Sequence, residues 1–282
     1  MLDILPHDGG IHEIRMARAP VNAFDIHLVR ALREAIIEAP SNGARGIVLS
    51  GAQGMFSAGV DVPALIQRDR AGVQEFWNEF FALCGAVAAS SIPTVAAITG
   101  HSPAGGAVLT LFCDYRIMAH GPYKIGLNEV QVGLSVPECI QAALRRLLGA
   151  YRAERLLVAG AMLEAEHAHA IGLVDELVEP DLVVARSLLW LGELLELPRH
   201  SMLATRRLAR ADIAAIFAEP DQLPVEDFLD GWFAPEAQTV LKALVARLNE
   251  AFGLKLTPIS DAEVLRFLES VIGTSKIKAP GS

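Results

Sequence analysis

Over the first 120 residues the spacing of apolar positions switches several times, and each switch marks an element. Ile11-His12-Glu13-Ile14-Arg15-Met16 alternates apolar and polar with period two, which predicts a half-exposed strand. Leu28, Leu32, Ile36 and Ile37 then recur at three- and four-residue intervals behind Asp25, the pattern of a capped amphipathic helix. Gly46-Ile47-Val48-Leu49-Ser50 is a short apolar run and reads as a buried strand. A glycine-rich loop over residues 51–60 leads to a short helix near 63–67, and a longer helix is expected over 74–89. Residues 94–99 form a third strand, 105–112 a buried helix and 115–119 a fourth strand. Strands alternating with helices in this way predict a layered α/β fold with parallel pairing.

After Val136 helical spacing dominates, apart from the short apolar run 173–178. Helices are predicted over 183–195, 234–248 and 261–272, with Pro198 and Gly231 as punctuation, and no internal repeat is visible. The expected organisation is a core over residues 1–197 followed by a helical subdomain and tail over 198–282. Val240, Leu241, Leu244, Val245 and Leu248 share one helix face, to be covered either by the core or by another subunit. Residues 276–282 read as a mobile tail.

Composition narrows the class. Of 282 residues, 52% are hydrophobic and 20% charged, enough apolar material for a large buried core. Lys and Arg total 24 against 33 Asp and Glu, a net charge of −9 with no basic run, which argues against nucleic acid or anionic membrane as partner. Cys84, Cys113 and Cys139 are an odd number without metal-ligand spacing, so reduced core residues are expected. The most apolar region, 83–111, is broken by Ser90, Ser91, Pro93, Pro103 and a glycine pair, so no membrane span is expected. Residues 2–8 carry Asp3, Pro6 and Asp8 rather than a signal-peptide pattern, and a cytoplasmic location is the expectation.

The chemistry concentrates in three places. Pro103-Ala104-Gly105-Gly106 follows the apolar run 94–99, Ser57-Ala58-Gly59-Val60-Asp61 lies upstream, and Glu129 stands 23 residues after Gly106. Glycines in a strand-to-helix turn let the backbone approach a ligand and aim an N–H group at it, with the helix N-terminus adding partial positive charge. A developing enolate oxygen needs such donors, so these segments outline an acyl-activating site. Glu129 lies among apolar residues in Gly126-Leu127-Asn128-Glu129-Val130, where desolvation raises a carboxyl pKa toward the range useful for proton transfer. Taken singly, each glycine pair also reads as a tight turn and the glutamate as a solvated loop residue. No GxGxxG opens a helix after the first strand, which removes a dinucleotide-binding reading. His101 and His120 lack partners at ligand spacing, so no metal site is expected.

Phe56-Ser57-Ala58-Gly59-Val60-Asp61, Pro103-Ala104-Gly105-Gly106, Cys113-Asp114-Tyr115-Arg116-Ile117 and Ile125-Gly126-Leu127-Asn128-Glu129 together resemble the crotonase superfamily of acyl-coenzyme A enzymes, most of all its Δ3,Δ2-enoyl-CoA isomerase branch. The resemblance spans roughly residues 10–180. It implies a crotonase-like ββα spiral core with a C-terminal helical region, and a homotrimer or dimer of trimers. It also implies that the backbone N–H groups of Val60 and Gly105 hold the thioester oxygen while Glu129 shuttles a proton. Ala23, Ser57, Ala58, Gly59, Val60, Asp61 and Gly105 would then contact the acyl-CoA substrate, with no cofactor beyond the coenzyme A of the substrate itself.

The hydratases that this chain resembles place a second glutamate where Val108 stands, and their second glycine-rich turn is replaced by Ser135-Val136-Pro137-Glu138-Cys139. The dienoyl-CoA isomerase branch carries an aspartate where Pro137 stands, one position before Glu138. The expected activity is conversion of a 3-enoyl-CoA to trans-2-enoyl-CoA by a single-glutamate shuttle. A hydratase, or a non-catalytic acyl-CoA-binding module of this fold, is the alternative.

Overall fold

The computed structural model describes residues 1–219, 223 and 225–253; the predicted helix 261–272 and the tail 276–282 lie outside the described residues. The fold is built by a repeated step in which the chain lays one strand in a first sheet, a short strand in a second, and then a helix. Strands β1 (Leu2–His7) and β2 (Ile11–Met16) and helix α1 (Ile26–Glu38) precede three such steps. The first is β3 (Gly46–Ser50), β4 (Gly54–Met55), α2 (Val62–Leu65) and α3 (Arg70–Ala88). The second is β5 (Thr94–Ile98), β6 (Gly100–Pro103) and α4 (Gly105–Leu111). The third is β7 (Tyr115–Ala119), β8 (Lys124–Gly126), a 3-10 turn at Glu129–Val132 and α5 (Glu138–Leu148). Then come α6 (Ala150–Ala159), β9 (Met162–Glu164), α7 (Ala165–Ala170), β10 (Glu176–Val178) and α8 (Val183–Leu195).

The first sheet runs β1-β2-β3-β5-β7-β10, parallel except where β1 meets β2, and the second runs β4-β6-β8-β9 with β9 antiparallel. This is the ββα spiral, and the parallel pairing expected from the alternation is present. Covered on both faces, β3 and β5 have every residue buried, as their apolar runs require. On one face α8 packs Val183, Leu191 and Leu195 against Val48, Val95, Ala97 and Ile117. The larger core, with Leu28, Leu32 and Ile36 of α1 and Phe80, Phe81 and Cys84 of α3, fills the other.

Several elements differ from the expectation. β1, at the sheet edge, is only half buried and carries Pro6, so its pattern carries little signal. Helix α3 begins at Arg70 rather than 74 because the Asp69 side chain accepts the Gly72 N–H. Ile37 points to solvent, one position past the buried stripe of α1. Helices α9 (Arg199–Ala209), α10 (Ala211–Ala215), α11 (Val225–Phe233) and α12 (Pro235–Gly253) follow among the described residues, and Gly231 sits inside α11 instead of breaking it. Arg206 holds both Asp114 carboxylate oxygens at 2.8 Å and the Ser90 carbonyl at 2.6 Å, tying α9 to the start of β7. Leu241 of α12 is buried in the chain's own core.

Candidate active site

The connection from β2 to α1 and the loop after β4 are knitted together. Asn22, at φ +51°, donates from Nδ2 to the Phe56 carbonyl, while its own carbonyl accepts the Ser57 hydroxyl at 2.7 Å. Ser57 Oγ also accepts the Gly59 N–H. Ala58 N–H donates to the Val21 carbonyl, Phe24 N–H to Gly59, and Asp61 N–H to Phe24. The last two bonds bracket Val60, whose own N–H has no acceptor among the described residues. Gly59 has φ +83°, and a Cβ there would stand 3.1 Å from the Gly105 nitrogen, so the two glycine segments touch only because this position lacks a side chain. Ala104 turns the chain out of β6 at φ +45°, a conformation costly for alanine, with its N–H bonded to the Gly126 carbonyl at 2.8 Å. Gly105 then opens α4, where a first-turn N–H has no intrahelical acceptor. Two unpaired N–H groups on adjoining segments thus border one space.

That space is a cavity of about 420 Å³ lined by Ala23, Ala58, Val60, Asp61, Gly105 and Glu129 among the residues expected from sequence. Val108, Phe80, Val132 and Leu134 add apolar walls. Glu129 is carried in by the 3-10 turn that follows β8, closed by Gly133 at φ +79°. Its Oε2 is sealed from solvent without a hydrogen-bond partner among the described residues, and burial pushes its pKa up to about 7. Asp61 and Arg18, at the partly exposed rim, pair at 2.7 Å, and Arg18 also reaches Asp25 at 3.2 Å. Asp61 thus has a cation beside it, whereas Glu129 is the lining carboxylate with none among the described residues.

A family model described as enoyl-CoA hydratase/isomerase matches residues 7–226. The chain belongs to the enoyl-CoA hydratase/isomerase family. It is 29% identical over 247 residues to human mitochondrial enoyl-CoA delta isomerase 1, covering 86% of this chain and 82% of that one. To a probable enoyl-CoA hydratase of Mycobacterium avium it is 35% identical over 217 residues, 76% of this chain and 81% of the relative. The crystal structure of human mitochondrial Δ3-Δ2-enoyl-CoA isomerase superposes with a TM-score of 0.84 at 28% identity, covering 88% of this chain and 98% of that one. Together they confirm the crotonase-like fold, while the relatives' names span two reactions.

In this member of the family, Ser57 and Gly59 stand behind the cavity wall, and Ser57 acts on the loop through its two hydrogen bonds. Pro137 lines the cavity, but Glu138 turns away to solvent and pairs with Arg145. His101 is buried with Nδ1 accepting the Lys124 N–H, and the exposed His120 pairs with Glu166 at 3.1 Å. All three cysteines are buried free thiols, with the pKa of Cys113 pushed up to about 12 and that of Cys139 to about 11 by burial. Among the described residues no His, Cys, Asp or Glu cluster is arranged to hold a metal ion, and no helix is long and apolar enough to cross a membrane. Sequence reasoning missed Trp77, Phe228, Trp232 and Leu248, which line the cavity from α3, α11 and α12. Their helical spacing signals burial but not which cavity they face.

Proposed function

We propose that this family member isomerises a 3-enoyl-CoA to the trans-2-enoyl-CoA. The observation that carries the reading is one carboxylate without a cation beside it, Glu129, in a largely apolar wall, with Val108 at the position matched to the hydratases' second glutamate. Glu129 removes a proton from the acyl α-carbon, and the pair from the broken C–H bond forms a double bond to the carbonyl carbon while the carbonyl π pair moves onto oxygen, giving a dienolate conjugated with the β–γ double bond. The Val60 and Gly105 N–H groups stabilise the resulting dienolate oxygen, two donors each worth about 10²–10³ in rate. The protonated Glu129 then returns the same proton at the γ-carbon, leaving the bond between the α- and β-carbons. No water enters the balance. Hydration needs a held and activated water, and the buried, apolar Val108 offers it no hydrogen bond. The hydratase name of the mycobacterial relative favours the second reading.

Purified protein is to be offered a 3-enoyl-CoA and, separately, a trans-2-enoyl-CoA. Isomerisation far above hydration is expected; hydration equal to or above isomerisation promotes the hydratase reading, and tight binding without conversion of either promotes the binding-module reading. Val108→Glu tests the same point from the other side. It places an unpaired carboxyl in a buried site at a cost of several kcal/mol, so weak hydration at most is expected, in a protein with a clearly lowered melting temperature.

The pH profile follows from the base. Glu129 must be ionised to accept a proton, and with its pKa raised to about 7, kcat/KM should climb tenfold per pH unit below that value and level off above it. A profile flat from about pH 5.5 upward would place the working base elsewhere.

A further inference from the structure

Two residues that line this cavity carry a polar atom buried without a partner among the described residues: Glu129 Oε2 and Trp77 Nε1. The mechanism uses the first and leaves the second unexplained. An N–H left unpaired in an apolar interior costs about 1–3 kcal/mol, a cost usually avoided by substituting an apolar ring. Trp77 is 6% exposed and locked by its neighbours, edge-on to Phe76 and Phe80 and 4.4 Å from the Phe228 ring centre. A phenylalanine offers the same kind of packing without the orphaned donor.

The position of Trp77 says which part of a ligand it meets. Phe80 borders the oxyanion turn, with Cζ 3.4 Å from where a Gly105 Cβ would be, and the Trp77 ring is 5.7 Å from Phe80, one turn back along α3. If the thioester lies at Gly105, as in the reading above, the indole faces the acyl chain beyond the reacting double bond. We propose that Trp77 makes this wall a recognition subsite for oxygenated acyl chains, its Nε1–H donating to a neutral carbonyl, hydroxyl or ether oxygen a few atoms past the γ-carbon. A carboxylate is excluded by charge. Arg18 is the one cation lining the cavity among the described residues, and it is already held by Asp25 and Asp61.

The test is a binding cycle with saturated thioesters, which cannot isomerise, so that its outcome is independent of whether the enzyme is an isomerase. Heptanoyl-CoA and its 6-oxo analogue are titrated calorimetrically into the wild-type protein and Trp77→Phe. Removing the donor should weaken the 6-oxo ligand by about tenfold and heptanoyl-CoA by less than about twofold. Equal weakening of both ligands, or none, overturns the proposal. Should Trp77→Phe fail to fold, ¹⁵N spectra of the wild-type protein decide: of the three indole N–H signals, that of Trp77 should move downfield with the 6-oxo ligand and not with heptanoyl-CoA. An indole signal that responds alike to both ligands assigns the N–H to ring packing and overturns the proposal.

Discussion

Glu129→Gln should lower kcat for a 3-enoyl-CoA by at least about 100-fold while leaving the affinity for the thioester within a few-fold of wild type. The amide keeps the shape and polarity of the side chain but has no basic lone pair for the acyl proton. In the proposed shuttle the proton leaves and returns through one group, so no second residue would restore half of the reaction. Glu138→Gln is the companion measurement. Glu138 faces solvent beside Arg145, so its loss should change kcat by less than about threefold; an equal effect at both positions would revive a two-carboxylate mechanism. Near-wild-type turnover by Glu129→Gln would sink the shuttle outright.

The same substitution carries a stability signature. Burial raises the Glu129 pKa from 4.5 to about 7, so the folded state holds this proton more tightly than the unfolded chain does. The stabilisation is complete below the unfolded pKa and is lost as pH rises through the folded one. Glutamine does not titrate. The stability of Glu129→Gln relative to wild type should therefore grow by about 3 kcal/mol between about pH 4 and about pH 8, whatever fixed cost the buried amide adds. Urea unfolding across that range reads the slope, and the reverse sign would mean that a buried partner holds the carboxylate ionised.

What the chain revealed in advance depended on how local each signal was. The strand at Gly46–Ser50 and the helix at Val183–Leu195 carry their own periodicity, and both match residue for residue. The second sheet is made of strands of two to four residues, too short for any alternation to register, although it is this sheet that delivers Ala104 and Glu129 to the cavity. The glycines and Glu129 were legible because the motifs keep their order along the chain. Ser57 was legible as part of its motif but not as a loop brace, since that role depends on Asn22, 35 residues away. The aromatic wall was not legible at all: Trp77 and Phe228 meet 4.4 Å apart across more than half the chain. No sequence spacing encodes that contact.

Gly105→Val separates the backbone donors from the packing around them, since no side-chain deletion can remove an N–H group. Gly105 does not need a positive φ, so the backbone accepts valine. A Cβ would stand 3.2 Å from Phe24 Cδ2 and 3.4 Å from both Phe80 Cζ and Gly59 Cα, tight contacts that two rings can relieve by small shifts. The expected stability cost is that of modest overpacking, about 1–3 kcal/mol, and the protein should still give a cooperative melt. Geometry at the turn should not survive as well. In the proposed reading the valine methyls would occupy the space the thioester must enter, and displacing Gly59 and Phe24 would re-aim the Val60 N–H that their hydrogen bonds bracket. Loss of even one donor costs about 10²–10³ in kcat, and disturbing both should abolish measurable turnover. Gly105→Ala, with the same contacts but no branches, should fall between wild type and valine. Gly106 supplies the contrast: a Cβ there would lie 2.7 Å from the Ser57 carbonyl oxygen, so Gly106→Val should lose the fold itself. A folded Gly105→Val protein that turns over a 3-enoyl-CoA at close to the wild-type rate would reduce the glycine pair to a packing device and remove the Gly105 N–H from the mechanism.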